Sequence, residues 1–124
     1  MVYARVGKVR IGQKYLEKAL NLGQVFQDIP MDLASPHLNM CHLLSSEYQH
    51  PQALTHARMA IKFAQKDLIN LKIRKQDCRH AISTLAMAYH SIGVEEDALR
   101  NHRKALAWYK KSITFLQKYG QPSH

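Results

Sequence analysis

Acidic side chains are scarce in this chain: nine Asp and Glu stand against eighteen Lys and Arg, for a formal net charge of +9, and no acid follows Asp97. That shortage leaves Glu95, Glu96 and Asp97 as the one acidic cluster. Consecutive helical residues fan out around the axis instead of converging on a substrate, so the three read as a solvated turn of helix. Long apolar runs are also missing. None approaches the roughly 20 residues that span a bilayer, and the N-terminus, with Arg5, Lys8 and Arg10, lacks the apolar core of a signal peptide. Cysteine is limited to Cys41 and Cys78, whose spacing suits neither a disulfide framework nor a metal knuckle. Both read as plain thiols in a reducing, cytoplasmic or nuclear compartment. Glycines are few, and Gly7 and Gly12 follow no strand, which removes a phosphate-binding loop. Aromatic residues make up 8%, and apart from Trp108-Tyr109 they do not interleave with the basic residues as a base-stacking surface requires.

What the chain has in quantity is helical periodicity. The stretch His37–Ile61 holds two amphipathic helices and a turn. Ala53, Ala57 and Ala60, with Leu54 and Ile61 beside them, make a face of small residues that another backbone can approach closely. Leu38, Met40, Cys41, Leu43, Leu44 and Tyr48 form the apolar side of the preceding helix, and Pro51 marks the start of the second, where its missing N–H costs nothing. The pattern returns: Tyr89, Ile92 and Gly93 precede Ala105, Tyr109 and Ser112 by the intervals that separate His37, Met40 and Cys41 from Ala53, Ala57 and Ala60.

At these positions the sequence resembles the tetratricopeptide repeat family, whose pattern is an aromatic, a large apolar residue with glycine, then small, aromatic and small residues. The later copy fits well; the middle copy has His37, Cys41 and Ala57 where the family has an aromatic, glycine and an aromatic. A partial copy lies in Tyr3-Ala4-Arg5-Val6-Gly7-Lys8 followed by Gly12, Leu16 and Ala19. The resemblance implies an all-α stack of helical hairpins over 1–124, about two and a half repeats in a single domain, either an excerpt or an array completed by a partner. Ala19 to Ala60 is 41 residues and Ala60 to Ser112 is 52, against 34 in the minimal repeat, so the style is similar to the long-helix kinesin light chain repeats.

In order, Val2–Val6 reads as a helix stump ending at Gly7-Lys8, with a strand over Val2–Ile11 as the alternative. A helix follows from Val9 to about Gln27, with Ile11, Tyr15, Leu16, Ala19, Leu20 and Val25 partly buried, and Ile29-Pro30 ends it. Asp32 or Ser35 caps the next helix. Leu54, Ile61 and Leu68 with Ala57, Ala64 and Leu71 carry the following one to about Leu71. A turn over Lys72–Gln76, with Asp77 as cap, leads to a helix from Cys78 to about Leu99 that contains Gly93. The last helix, about His102 to Lys118, carries Ala105, Leu106, Tyr109, Ile113 and Leu116 inward and frays at Gly120-Gln121-Pro122, while Trp108 sits off the stripe.

No constellation of catalytic type emerges. Eight histidines include no pair at the spacing of two metal ligands on one helical face, so no metal or cofactor is expected. Binding is better supplied. The resemblance places the first helices of successive hairpins along a concave groove that takes peptides, which here implies Leu38, Asn39, His42, Ser45, Ser46, His90, Ser91 and Val94, together with Asp97. Asn39 stands out because an amide can donate to and accept from a ligand backbone at once, and a bridge between adjacent helices is its other reading. Chaperone-binding members grip a terminal carboxylate with Lys and Asn; the corresponding positions here are Leu38, His42, Met87 and Ser91. The expectation is a non-catalytic scaffold for a protein or peptide partner, with self-assembly through exposed repeat ends as a further option. The alternative is attraction of nucleic acid or another acidic surface to the outer helices through Arg58, Lys62, Lys66, Arg103, Lys110 and Lys111.

Overall fold

The helices follow one another as α1 (Val2–Val25), α2 (Ala34–Ser46), α3 (His50–Ile73), α4 (Arg79–Ala98) and α5 (His102–Tyr119). The computed structural model describes residues 2–25 and 31–119, with side chains from residue 7 onward. Among these residues there is no strand, and each helix packs on the next in sequence, with one further contact between α2 and α4. The break expected at Ile29-Pro30 and the fraying at Gly120-Gln121-Pro122 lie outside the described residues.

At the N-terminus the expectation of a stump ending at Gly7-Lys8 is overturned, as is the strand alternative: α1 is continuous through both residues. Among the described residues no glycine has a positive φ, so Gly7 acts as an ordinary helical residue. Glycine inside a helix weakens it by about 1 kcal/mol relative to alanine and does not by itself end it. At the start of α2, Asp32 does the capping from just outside the helix, its Oδ1 accepting the backbone N–H of Ser35 at 3.0 Å. Asp77 plays the same part for α4, accepting the N–H of Arg79 at 2.9 Å.

Three turns are built alike. Tyr48, Lys75 and Arg100 take left-handed φ values of 60°, 55° and 66°. The residue after each donates its N–H five positions back, Gln49 to Leu44 and Gln76 to Leu71 at 2.9 Å, and Asn101 to Glu96 at 2.8 Å. This is the double-bonded helix ending that usually recruits glycine; a non-glycine residue there costs about 1–2 kcal/mol. Tyr48, expected on the packing face of α2, instead occupies such a turn and is exposed. The α2–α3 and α4–α5 turns match further, since Ala53 bonds back to Gln49 as Ala105 does to Asn101. Three of the four bonds in the later turn lie 52 positions after those of the earlier one; the exception is the Leu99 amide, which bonds to Glu95 where Glu47 bonds to Leu44.

The core is assembled where α4 lies across α2 and α3. Leu16, Met40, Cys41, Leu44, Ala53, Leu54, Ala57 and Ile92 form one buried cluster; Ala34, Ala64, Leu68, Ala81, Leu85 and Tyr89 form a second; Leu38, Ala60 and Ala88 form a third. Thus Ala81, Leu85, Ala88 and Ile92 are the stripe by which α4 covers the preceding hairpin. Trp108 is half-buried, tilted against Tyr89 with ring centroids 5.9 Å apart.

Three expectations about burial need correction. Glu95 and Glu96 are buried, with Glu95 only 1% exposed, and only Asp97 of the acidic cluster is solvated. The last turn of α4 rests on the hairpin before it, so its inner face carries these carboxyls into the protein. Leu106, Ile113 and Leu116, expected inward, are 54%, 57% and 46% exposed. Among the described elements α5 packs on α4 alone, and that contact uses Ala105 and Ser112. For the same reason Ile11, Tyr15 and Val25 are exposed on α1, which packs on α2 alone through Leu16 and partly buried Val9 and Leu20.

Candidate functional site

Three depressions adjoin one another across α1, α2, α4 and α5. The first, of about 550 Å³, is walled by Ile11, Tyr15 and Ala19 of α1 and by Asn39, Met40 and Leu43 of α2. Lys8 and Leu43 also line the second, of about 490 Å³, with His42, Ser45, Ser46 and Tyr48. His42 lines the third as well, of about 380 Å³, where it meets Met87, His90 and Ser91 of α4 and Ile113 and Leu116 of α5. The shared residues make the three neighbours along α2.

Of the expected groove residues, Asn39, His42, Ser45, Ser46, His90 and Ser91 line these depressions. Asn39 faces the α1–α2 cleft, apart from His42 and His90. Leu38 is corrected: it is buried in the core with Ala60 and Ala88, under α4. Ser91 is also buried, and its hydroxyl lies 3.3 Å from His42 Nε2, where it fastens α2 to α4 at the base of the groove. Val94 is exposed on α4, outside the walls of the three depressions. His90 tilts over Tyr109 with centroids 5.2 Å apart. Met87, quoted at the sequence level only for its place in the repeat, proves to be a half-exposed part of the wall.

The basic residues are placed differently. Arg58, Lys62 and Lys66 are exposed along α3, and Arg103, Lys110 and Lys111 along α5. The backbones of these two helices do not pack together, and they meet where Lys72 Nζ donates to the Tyr119 hydroxyl at 2.6 Å. Lys111 is partly engaged, its Nζ 4.9 Å from the Tyr89 ring centroid and 5.1 Å from that of Trp108.

Sequence reasoning missed a fourth cavity of about 260 Å³ at the opposite ends of α2, α3 and α4, lined in part by Asp32, Asp67, Asn70, Arg74 and His80. Its polar residues come from segments distant in sequence, so no local motif announces it. Asp32 Oδ2 accepts from Ser35 Oγ at 2.5 Å and from His80 Nε2 at 2.9 Å, and the same Nε2 stands 3.4 Å from Ser35 Oγ. A nucleophile relay needs the hydroxyl on one ring nitrogen and the carboxylate on the other, so this trio is wired as a cap. Burial, followed by the charge of Asp32, raises the Asp67 pKa. The Asp32 carboxyl is lowered: burial is the largest influence and opposes the shift, but bonds from Ser35 and His80 outweigh it.

Two buried polar pairs complete the inventory. His50 Nδ1 lies 2.8 Å from Glu95 Oε1. His37 Nδ1 lies 3.0 Å from His56 Nδ1, and Phe63 stacks on the His37 ring with centroids 5.5 Å apart. His37 Nε2 is buried without a partner, so the bond is most economical with His37 donating from Nδ1 and leaving a bare lone pair at Nε2. Burial, and then His56, pushes the His37 pKa down to about 4. Burial, and then Glu95, pushes the Cys41 thiol up to about 12, so it stays protonated and unreactive at neutral pH. Both cysteines are free. Among the described residues no three His, Cys, Asp or Glu side chains converge as a metal site, and no helix is long and apolar enough to cross a membrane. No protein-family model, curated protein or solved structure matches the chain.

Proposed function

We propose that this chain is a non-catalytic scaffold of the tetratricopeptide repeat kind, holding a peptide or helix of a protein partner along the groove over α2 and α4. The observation that carries this reading is the run of three adjacent depressions, with apolar lining from Leu43, Met87, Ile113 and Leu116 and polar groups from Asn39 in the first and His42 and His90 in the last. Extended apolar clefts with few convergent polar groups are what ligand sites look like. The repeat assignment is supported by helices packed in sequence and by two turns that share three backbone bonds at an interval of 52 residues. Absence of catalysis is supported by the protonated thiol and by the single-nitrogen wiring of Ser35 and Asp32 on His80.

The test starts with affinity purification on the intact protein and identification of what stays bound. Binding of the purified partner to Asn39→Ala and His42→Ala variants is then measured by calorimetry. Each change should weaken binding about two- to ten-fold, the worth of one net hydrogen bond, with thermal stability retained. A partner indifferent to both changes removes the groove reading.

A further inference from the structure

The face of the α2–α3 hairpin that α4 covers contains Leu38, Leu54, Ala57, Ile61 and Ala64. Moving 52 positions along the chain, the interval that superposes the hairpin turns, gives His90, Leu106, Tyr109, Ile113 and Leu116. These form the corresponding face of the α4–α5 hairpin. Here, though, no described helix lies on it: Leu106, Ile113 and Leu116 are exposed, and so are Met87 and Val94 along the α4 side. Leu106 with Ile113, and Tyr109 with Leu116, repeat at seven residues, the spacing of a seam made for another helix. An exposed apolar strip of this kind marks an interaction surface.

Charge says what kind of helix. Arg103 and Lys110, also seven residues apart and exposed, run beside Leu106 and Ile113 on the edge away from α4, and α5 contains no acid. A second copy of this chain does not answer that edge. Among the described residues its other open apolar faces are also basic, Ile11, Tyr15 and Leu22 on α1 beside Lys8 and Lys18, and Ile69 and Ile73 on α3 beside Lys66 and Lys72, and a second α5 would set Arg103 and Lys110 against themselves. We propose that the trough between α4 and α5 is a docking surface for an amphipathic helix of another protein, apolar along one stripe and acidic along its flank. It takes in Met87, Ile113 and Leu116, the α4–α5 end of the proposed groove, and so rests on that part of the reading, but it needs none of the α2 residues.

The probe is a fluorescent helical peptide carrying Ala, Leu, Ala and Ile at the spacing of Ala81, Leu85, Ala88 and Ile92, the stripe by which α4 covers the equivalent face. One version has glutamates along the flank and the other lysines. By fluorescence anisotropy with the full chain, the glutamate peptide should bind at least ten-fold more tightly. Arg103→Glu with Lys110→Glu should reverse that preference. Ile113→Glu with Leu116→Glu should abolish binding of both peptides while circular dichroism shows unchanged helicity, and Asn39→Ala should leave it unaltered. Equal affinity for the two peptides, saturable binding of neither, or binding that survives the Ile113 and Leu116 changes would overturn the proposal. So would a dimer in sedimentation velocity that disappears in the Ile113→Glu variant, since it would assign the trough to a second copy.

Discussion

A Cβ built on Gly93 would lie 2.5 Å from Cε1 and 2.6 Å from Cδ1 of Tyr109, so this helical glycine is where α5 seats its ring against the backbone of α4. The equivalent pair in the other hairpin is Cys41 with Ala57, both fully buried. Volume has moved across the contact: a ring on α5 faces glycine, and a thiol on α2 faces alanine. Gly93→Ala should therefore destabilise the protein by about 1–3 kcal/mol, the usual cost of overpacking a tight contact. Because the clash is with this ring, Gly93→Ala combined with Tyr109→Ala should cost less than the two separately. Urea unfolding of the three variants measures this; strict additivity would mean that the ring moves aside freely.

The alanine face of α3 makes a parallel prediction. Ala60 is fully buried with Leu38 and Ala88, where α2 and α4 both approach α3. Ala60→Trp should cost at least about 1–3 kcal/mol and broaden or abolish cooperative unfolding. A thermal melt like that of the parent would place the indole at the surface and contradict the packing.

The small-residue stripes were the legible part of this fold. Alanines at helical spacing, Pro51 near a helix start and the recurrence at 52 residues give the hairpins because those features act through local sterics and neighbouring helices. Burial at the two ends was not legible. Leu106, Ile113 and Leu116 look inward-facing by periodicity, but periodicity only says that residues share a face, and a face needs a neighbour to be buried. Glu95 fails in the opposite direction: a charged residue beside two other acids reads as surface, and only the packing of the last turn of α4 reveals its partner His50. Of the proposed groove residues, Asn39, His42 and His90 line the depressions, whereas Leu38, one helical position from Asn39, is turned under α4.

Partly exposed His50 is the hydrogen-bond partner of buried Glu95. His50→Ala should cost about 1–3 kcal/mol, because it leaves a buried polar group unpaired, while replacing both residues with apolar ones of similar size should restore much of the loss. A double-mutant cycle in urea is the measurement. Independent, small effects would show that water reaches Glu95 readily.

Stability should also fall in mildly acidic solution because of His37. Its folded pKa of about 4 is below the ordinary imidazole value of 6.5, so between these values the unfolded chain binds the proton more readily and stability rises with pH. The contribution is complete above about pH 6.5 and is lost as pH falls toward 4, for a total on the order of 2–3 kcal/mol. The His56 pKa is lowered by burial as well and acts in the same direction. Melting temperatures recorded from pH 7.5 to pH 4.5 should decline, and His37→Phe, which keeps a ring against Phe63, should flatten the decline. An identical slope in the variant would assign the pH dependence to other groups.

The basic helices provide the separation between the two functional readings. If Arg58, Lys62, Lys66, Arg103 and Lys110 bind nucleic acid, affinity for any duplex must fall steeply with salt, with a slope that counts the counterions released. Reversing Lys62, Lys66, Arg103 and Lys110 to Glu should then abolish binding. A scaffold working through its groove behaves otherwise: its protein partner stays bound at raised salt, and Asn39→Ala weakens the complex where reversal of Lys62 and Lys66 does not. The scaffold outcome is expected, because the rings beside these charges, Tyr89, Trp108, Phe115 and Tyr119, are partly or fully buried and pack on one another and under Lys72 and Lys111 instead of standing open to stack bases. Such a surface gives nonspecific attraction of about 10⁻⁴–10⁻⁶ M at physiological salt. Sub-micromolar duplex binding in that buffer, lost on charge reversal and untouched by Asn39→Ala, would instead make the outer helices the working surface of this protein.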